Sequence, residues 1–123
     1  MFAWESVRSF STVILVEGLF DLAVLWQAGF RNTTCAIGTQ LTPAQLAQLS
    51  DEPGRSVYIA FDQDENQAGQ KASHRLALRL EGLRVRARIV PLPHGHDPNS
   101  YFVAGATAAD FSRCLQQAES PRP

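Results

Sequence analysis

Thr12-Val13-Ile14-Leu15-Val16 is the stretch that most limits what this chain can fold into. It is short, nearly all apolar and mostly β-branched, and it stops abruptly at Glu17-Gly18. A run without polar alternation reads as a strand buried on both faces, and such a strand needs a layer on each side of its sheet. The following residues supply one layer. Leu19 to Gly29 reads as a helix, with Leu22, Leu25 and Trp26 at helical spacing and Gly29 closing it. Gly18 permits the tight turn from strand to helix.

The same pattern recurs down the chain. Thr33 to Ile37 reads as a second strand, ending at Gly38-Thr39. Thr42 then suits a helix N-cap and Pro43 the first helical position, where a missing N–H costs nothing, and that helix runs to Leu49. After the turn residues Asp51-Glu52-Pro53-Gly54, Val57 to Phe61 reads as a third strand. The spacing of Ala68, Ala72, Leu76 and Leu80 predicts a helix over Gln67 to Leu80, stopped by Glu81-Gly82. Val85 to Val90 alternates, as an edge strand with one wetter face does. Ser100 to Gly105 and Ala108 to Ala118 read as helices, the second capped by Thr107. The expected fold class is therefore α/β, with about four mostly parallel strands flanked by helices on both faces. Residues 1–11 read as an N-terminal arm or linker remnant, 12–118 as the main folded domain and 119–123 as a frayed tail.

Composition removes several function classes. A net charge of −1 provides no global basic field for nonspecific nucleic-acid binding, although a local basic face remains open. No apolar run reaches a membrane span, and the start lacks the pattern of a secretory leader, so a cytoplasmic protein without membrane contact is expected. Cys35 and Cys114 match no CxxC spacing, and the histidines give no paired spacing with them, so no zinc is expected in this chain.

In an open α/β sheet, sites form outside the carboxyl ends of the strands. The loops leaving those ends carry Glu17 and Asp21; Gly38, Thr39 and Thr42; Asp62, Asp64 and Glu65; and His94, His96, Asp97 and Asn99. Asp62 and Asp64 follow a buried strand one residue apart, so both side chains face the same way. Crowded carboxylates repel unless a cation offsets them, and hard oxygen donors suit Mg²⁺ or Mn²⁺. Such an edge fits phosphoryl or nucleotidyl transfer. The bland alternative is that strand-end acids cap helices or sit in solvent. That reading is preferred for Asp51 and Glu65, stands even for Asp21 and Asp97, and loses for the pair Asp62 and Asp64 with Glu17 beside them. Lys71, Arg75 and Arg79 form a basic row at helical spacing, by default a solvated face and in the minority reading a phosphate contact.

These residues resemble the Toprim domain, and within it the bacterial primase (DnaG-like) type. Val16-Glu17-Gly18 with Asp21 resembles the family's VEGxxD, and Ala36-Ile37-Gly38-Thr39 with Leu41-Thr42 its glycine–threonine segment. Phe61-Asp62-Gln63-Asp64 with Ala68-Gly69 resembles its DxD motif, and Leu92-Pro93-His94-Gly95-His96-Asp97-Pro98 its LPxGxDP segment. The resemblance implies that Glu17 is a general acid or base that also touches metal, that Asp62 and Asp64 are Mg²⁺ ligands, and that Asp21 and Asp97 are further metal-binding acids. It implies nucleotidyl transfer on single-stranded DNA with nucleoside triphosphates as substrates. It also implies partner modules for zinc and template binding in cis or trans, with a helicase as a further partner. Two features depart from the family spelling. Glu65-Asn66-Gln67 lengthens the interval between the acids and Ala68-Gly69, and Asn99 stands where an acid is common. Three alternatives remain open at this level: a small Toprim nuclease, a degenerate Toprim used for binding or assembly, and a haloacid-dehalogenase-type phosphatase. Glu17 and the residues after Asp64 count against the last.

Overall fold

The computed structural model describes residues 1–36, 40–63 and 68–121, and of Ala68 and Gly69 the backbone alone. The strands are β1 (Thr12–Val16), β2 (Thr33–Cys35), β3 (Ser56–Ile59) and β4 (Arg86–Ile89). The helices are α1 (Trp4–Val7), α2 (Leu19–Gln27), α3 (Pro43–Leu49), α4 (Ala68–Gly82), α5 (Pro98–Val103) and α6 (Ala108–Gln116). All strand pairs are parallel, in the order β2-β1-β3-β4. Leu15 lies opposite both Thr34 and Ile59, so β1 sits in the sheet interior, as its unbroken apolar run requires.

Alternation along β1 sorts the core into two layers. Val13 and Leu15 face Trp4 and Val7 of α1, Leu46 and Leu49 of α3, and Leu76, Ala77 and Leu80 of α4. Ile14 and Val16 face Leu25 of α2 and Phe111 and Cys114 of α6, with Tyr101 and Phe102 of α5 packed on the same cluster. Helices thus cover both faces, as expected. β4 is an edge, as its alternation suggests, and is partly closed by Glu119, whose backbone exchanges two hydrogen bonds with Ile89 (2.8 and 3.0 Å). The tail is therefore tied down at Glu119, and Pro121 is buried.

Local signals set the helix ends. Thr42 and Gln45 form a reciprocal capping box with Pro43 inside it, and Thr107 and Asp110 form another. Gly29 closes α2 with a left-handed φ of 104°. α4 runs two residues beyond Leu80, to Gly82, and the left-handed position beyond its end falls on Arg84 (φ 64°), not on the glycine. A side chain there is strained, so Arg84→Gly is expected to raise stability by about 0.5–1 kcal/mol, read from the denaturant midpoint.

At the amino end of the sheet, Arg55 is 1% exposed. Its guanidinium donates to the carbonyls of Gln48 (2.9 Å) and Leu49 (3.1 Å) at the end of α3, to Arg8 O (2.7 Å) after α1, and to the Asp51 carboxylate. Its face covers Trp4 at 5.0 Å, while its Nε has no partner. Burying a charge costs several kcal/mol, but hydrogen bonds to a charged group return roughly 1.5–3 kcal/mol each, and several act here together. Residues 1–11 are thereby joined to the core through Trp4, Val7 and Arg8. Arg55→Met keeps the volume and removes these donors. It is expected to cost about 3 kcal/mol or more of unfolding free energy in urea titration, against less than about 1 kcal/mol for an exposed substitution such as Glu5→Ala.

Candidate functional site

The connections from β1 and β3 leave in opposite directions across the sheet, which opens a crevice between their carboxyl ends. Glu17 and Asp62 meet there. A Glu17 carboxylate oxygen, Oε1, accepts the Asp62 backbone N–H at 2.7 Å, and the Cys35 thiol donates to the Glu17 carbonyl at 3.3 Å. The first and third loops are joined by the side chain expected to be the acid or base. Asp64, Glu65, Gly38 and Thr39 lie outside the described residues.

Asp21 ties in the fourth loop. It lies in the first turn of α2, is 6% exposed, and its Oδ1 accepts the Asn99 N–H of α5 at 2.9 Å. Its other oxygen sits where a Cβ on Gly18 would approach to 3.3 Å, so a larger residue at 18 would crowd this carboxylate. Burial chiefly pushes its carboxyl pKa up to about 6, and the negative charges of Asp97 and Glu17 add to this. Hydrogen bonds from the backbone of Asn99 and Gly18 pull in the opposite direction. Asp97 caps α5: its Oδ1 accepts the Ser100 N–H at 2.7 Å, and Ser100 Oγ accepts the Asp97 N–H at 3.1 Å. A role as cap and a charge felt at Asp21 coexist in this one residue. Asn99 contributes its backbone N–H to Asp21, a role that its side-chain identity gives no means of foreseeing.

The third and fourth loops are also latched through backbone. Gln63 N–H donates to the His96 carbonyl at 3.1 Å, and Gly95 N–H donates to the Gln63 carbonyl at 2.6 Å, with Gly95 in a left-handed turn (φ 81°). His96 Nδ1 lies 2.9 Å from Ser100 Oγ, and His94 is exposed. Sequence reasoning passed over Gln63, although its place between two acids was the signal. Lys71, Arg75 and Arg79 are exposed on α4 and, among the described residues, have no acidic partner. Arg75 and Arg79 border a groove with Gln40 and Leu41.

The charges of Glu17 and Asp97 therefore both reach Asp21 at one edge, and Asp62 is bonded to Glu17 there. Among the described residues, no three His, Cys, Asp or Glu side chains are gathered closely enough to enclose an ion. The donor set is nonetheless all carboxylate oxygen. A buried acid raised by burial and by like charges is the environment that a divalent cation relieves, so these residues fit Mg²⁺ chemically.

A family pattern described as Toprim-like matches residues 14–102, which span this sheet and the carboxylates at its switch point. The chain belongs to the Toprim-like family, and the relatives it resembles are DNA primases. The DNA primase of Aquifex aeolicus is 38% identical over 100 residues, covering 81% of this chain and 20% of that protein. The DNA primase of Pseudomonas putida is 37% identical over 115 residues, covering 91% and 17%. Among solved structures, the Aquifex aeolicus primase (zinc-binding and RNA polymerase domains) matches with a TM-score of 0.78 at 34% identity, over 94% of this chain and 28% of that one. The chain thus spans a fifth or less of the length of these curated relatives.

Asp21 makes stability depend on pH in a defined direction. Its folded pKa of about 6 lies above the ordinary 3.8, so the folded state holds the proton more tightly between those values. The stabilisation from the protonated acid is complete below about pH 4 and is lost as pH rises through 6. Without divalent cations, Asp21→Asn is expected to be more stable than wild type at pH 7, by on the order of 2 kcal/mol. The difference is expected to vanish near pH 4, as read from unfolding midpoints across that range.

Proposed function

We propose that this chain is the Toprim catalytic domain of a DNA primase-like protein, working in nucleotidyl transfer on a single-stranded DNA template. The observation that carries the reading is the contact between Glu17 and Asp62 at the β1–β3 crevice, since it places two motifs far apart in sequence at one point. In this reading Glu17, Asp21, Asp62, Asp64 and Asp97 hold Mg²⁺ (or Mn²⁺). When bound, such an ion would supply positive charge against a triphosphate and a developing alkoxide. Glu17 takes up or returns the proton of the attacking hydroxyl. The loop latches keep Asp62 and Asp21 fixed before substrate arrives, which lowers the cost of ordering them. Lys71 and Arg75, with the Gly38-Thr39 segment, contact phosphates of the strand or the nucleotide.

The primases that this chain resembles are several times longer, so the reading assigns template holding and zinc binding to modules outside these residues, in cis or trans. A helicase partner and a cytoplasmic setting belong to the same proposal. Among the described residues no helix is long and apolar enough to cross a membrane.

Metal binding is tested by thermal unfolding with and without Mg²⁺ or Mn²⁺. A ligand at about a hundred times its Kd adds about 2.7 kcal/mol, a shift of several degrees for a domain of this size. The shift is expected in wild type and absent in Asp62→Asn/Asp64→Asn. No shift in wild type, or an unchanged shift in the variant, defeats the metal reading. Labelled single-stranded DNA then separates the chemistries: extension that needs nucleoside triphosphates supports transfer, whereas cleavage without them points to a nuclease.

A further inference from the structure

α4 has a second flank, opposite the groove beside Arg75 and Arg79. There the helix faces the carboxyl end of β4 and the Glu119–Pro121 segment across an open groove of about 810 Å³, lined by Gln63, Gln70, His74, Ile89, Pro91 and Pro121 among others. The volume is that of a small-molecule site. Gln63, the residue after Asp62, is one of its lining residues, so the groove borders the carboxylate edge.

Its chemistry differs from the basic flank. Neither Lys nor Arg lines it, and its charged lining group is Glu119, so it does not suit a phosphate. Two carboxamides and an imidazole stand over apolar surface that includes two proline rings. Gln70 Nε2 donates to Gln63 Oε1 at 3.0 Å, and Gln63 is held through both its N–H and its carbonyl by the 95–96 turn. Among the described residues, the Gln70 carbonyl oxygen, its second amide hydrogen and both ring nitrogens of His74 have no protein partner. A fixed amide offering an adjacent donor and acceptor is the arrangement that reads a base edge, and the prolines offer flat surfaces on which a ring can lie. A peptide joining β4 by strand addition is disfavoured, since both backbone groups of Ile89 are already bonded to Glu119.

We propose that this groove is a nucleobase subsite, with Gln70 and His74 contacting the base and Gln63 positioning Gln70. The inference rests on the proposed function in one respect: a nucleotide whose phosphate lies at the Asp62 edge has the reach to put its base here, and its phosphate need not enter the groove. Base chemistry is common to an incoming nucleotide and to a nucleotide of the strand.

The test uses uncharged adenosine and cytidine in EDTA, so that a failed metal reading does not affect the outcome. Backbone and side-chain amide NMR signals are followed on titration to millimolar nucleoside. Shifts centred on Gln63, Gln70 and His74 are expected, with affinity weakened about tenfold by Gln70→Leu. His74→Ala, at an exposed position, provides a second loss that does not depend on Gln70 packing. Unchanged thermal midpoints establish that both variants fold. Displacement of nucleoside by a triphosphate alone assigns the subsite to the incoming nucleotide, and displacement by a short DNA strand alone assigns it to the strand. No shift, shifts centred elsewhere, or shifts unaltered in both variants overturn the proposal.

Discussion

The parallel pairing of β1 with β3 constrains the rest of this molecule. Both are interior strands of the sheet, which carries helices on each face, and the pairing point is where the chain reverses its direction across the sheet. Such a reversal leaves the two strand ends without a connection passing between them, and polar groups gathered there need not be covered. The same register that places Leu15 opposite Ile59 brings Glu17 within hydrogen-bond distance of Asp62. Core packing and the position of the chemistry are therefore one decision: a slip of β3 by one residue would exchange its side chains between the two core layers and part Glu17 from Asp62 at the same time.

The crevice is assembled by mutual ties and not by any single loop. Glu17 holds the Asp62 peptide, Asp21 holds the Asn99 peptide, and Gln63 exchanges backbone bonds with Gly95 and His96. Each tie uses a backbone group on at least one side. Asn99 and Gln63 take part through backbone groups alone, so these two positions can vary in side chain while their ties persist, which accommodates the departure at Asn99. The acids bear an electrostatic cost in this arrangement, concentrated on Asp21, and a site that holds carboxylates at such a cost is suited to a cation.

How much of this was readable from sequence depends on the range of the interaction. The β1 limits, the Thr42 and Thr107 caps and the turn at Gly29 follow from neighbouring residues, and all were readable. The four acid-bearing loops were placed on one edge by topology, since strand–helix alternation fixes which end each loop leaves. The sequence leaves the cap reading open for Asp97, and α5 begins at Pro98, two residues before the expected Ser100; its charge acting on Asp21 was not legible either, because that depends on how α2 meets α5. Asp64, Gly38 and Thr39, expected at the site, lie outside the described residues. Arg55 was missed altogether. Nothing local distinguishes a surface arginine after a turn from one whose acceptors arrive from α1 and α3.

That arginine bears on where the domain can be truncated at its amino end. A fragment begun at Thr12, where the first strand starts, keeps every motif that identifies the family. It would also discard the Arg8 carbonyl and the Trp4 ring, leaving part of an interior guanidinium bare beneath the sheet. Motif boundaries and folding boundaries differ here by the length of α1 and its flanks, and expression of a fragment that respects only the former would be limited by solubility before any question of catalysis arose.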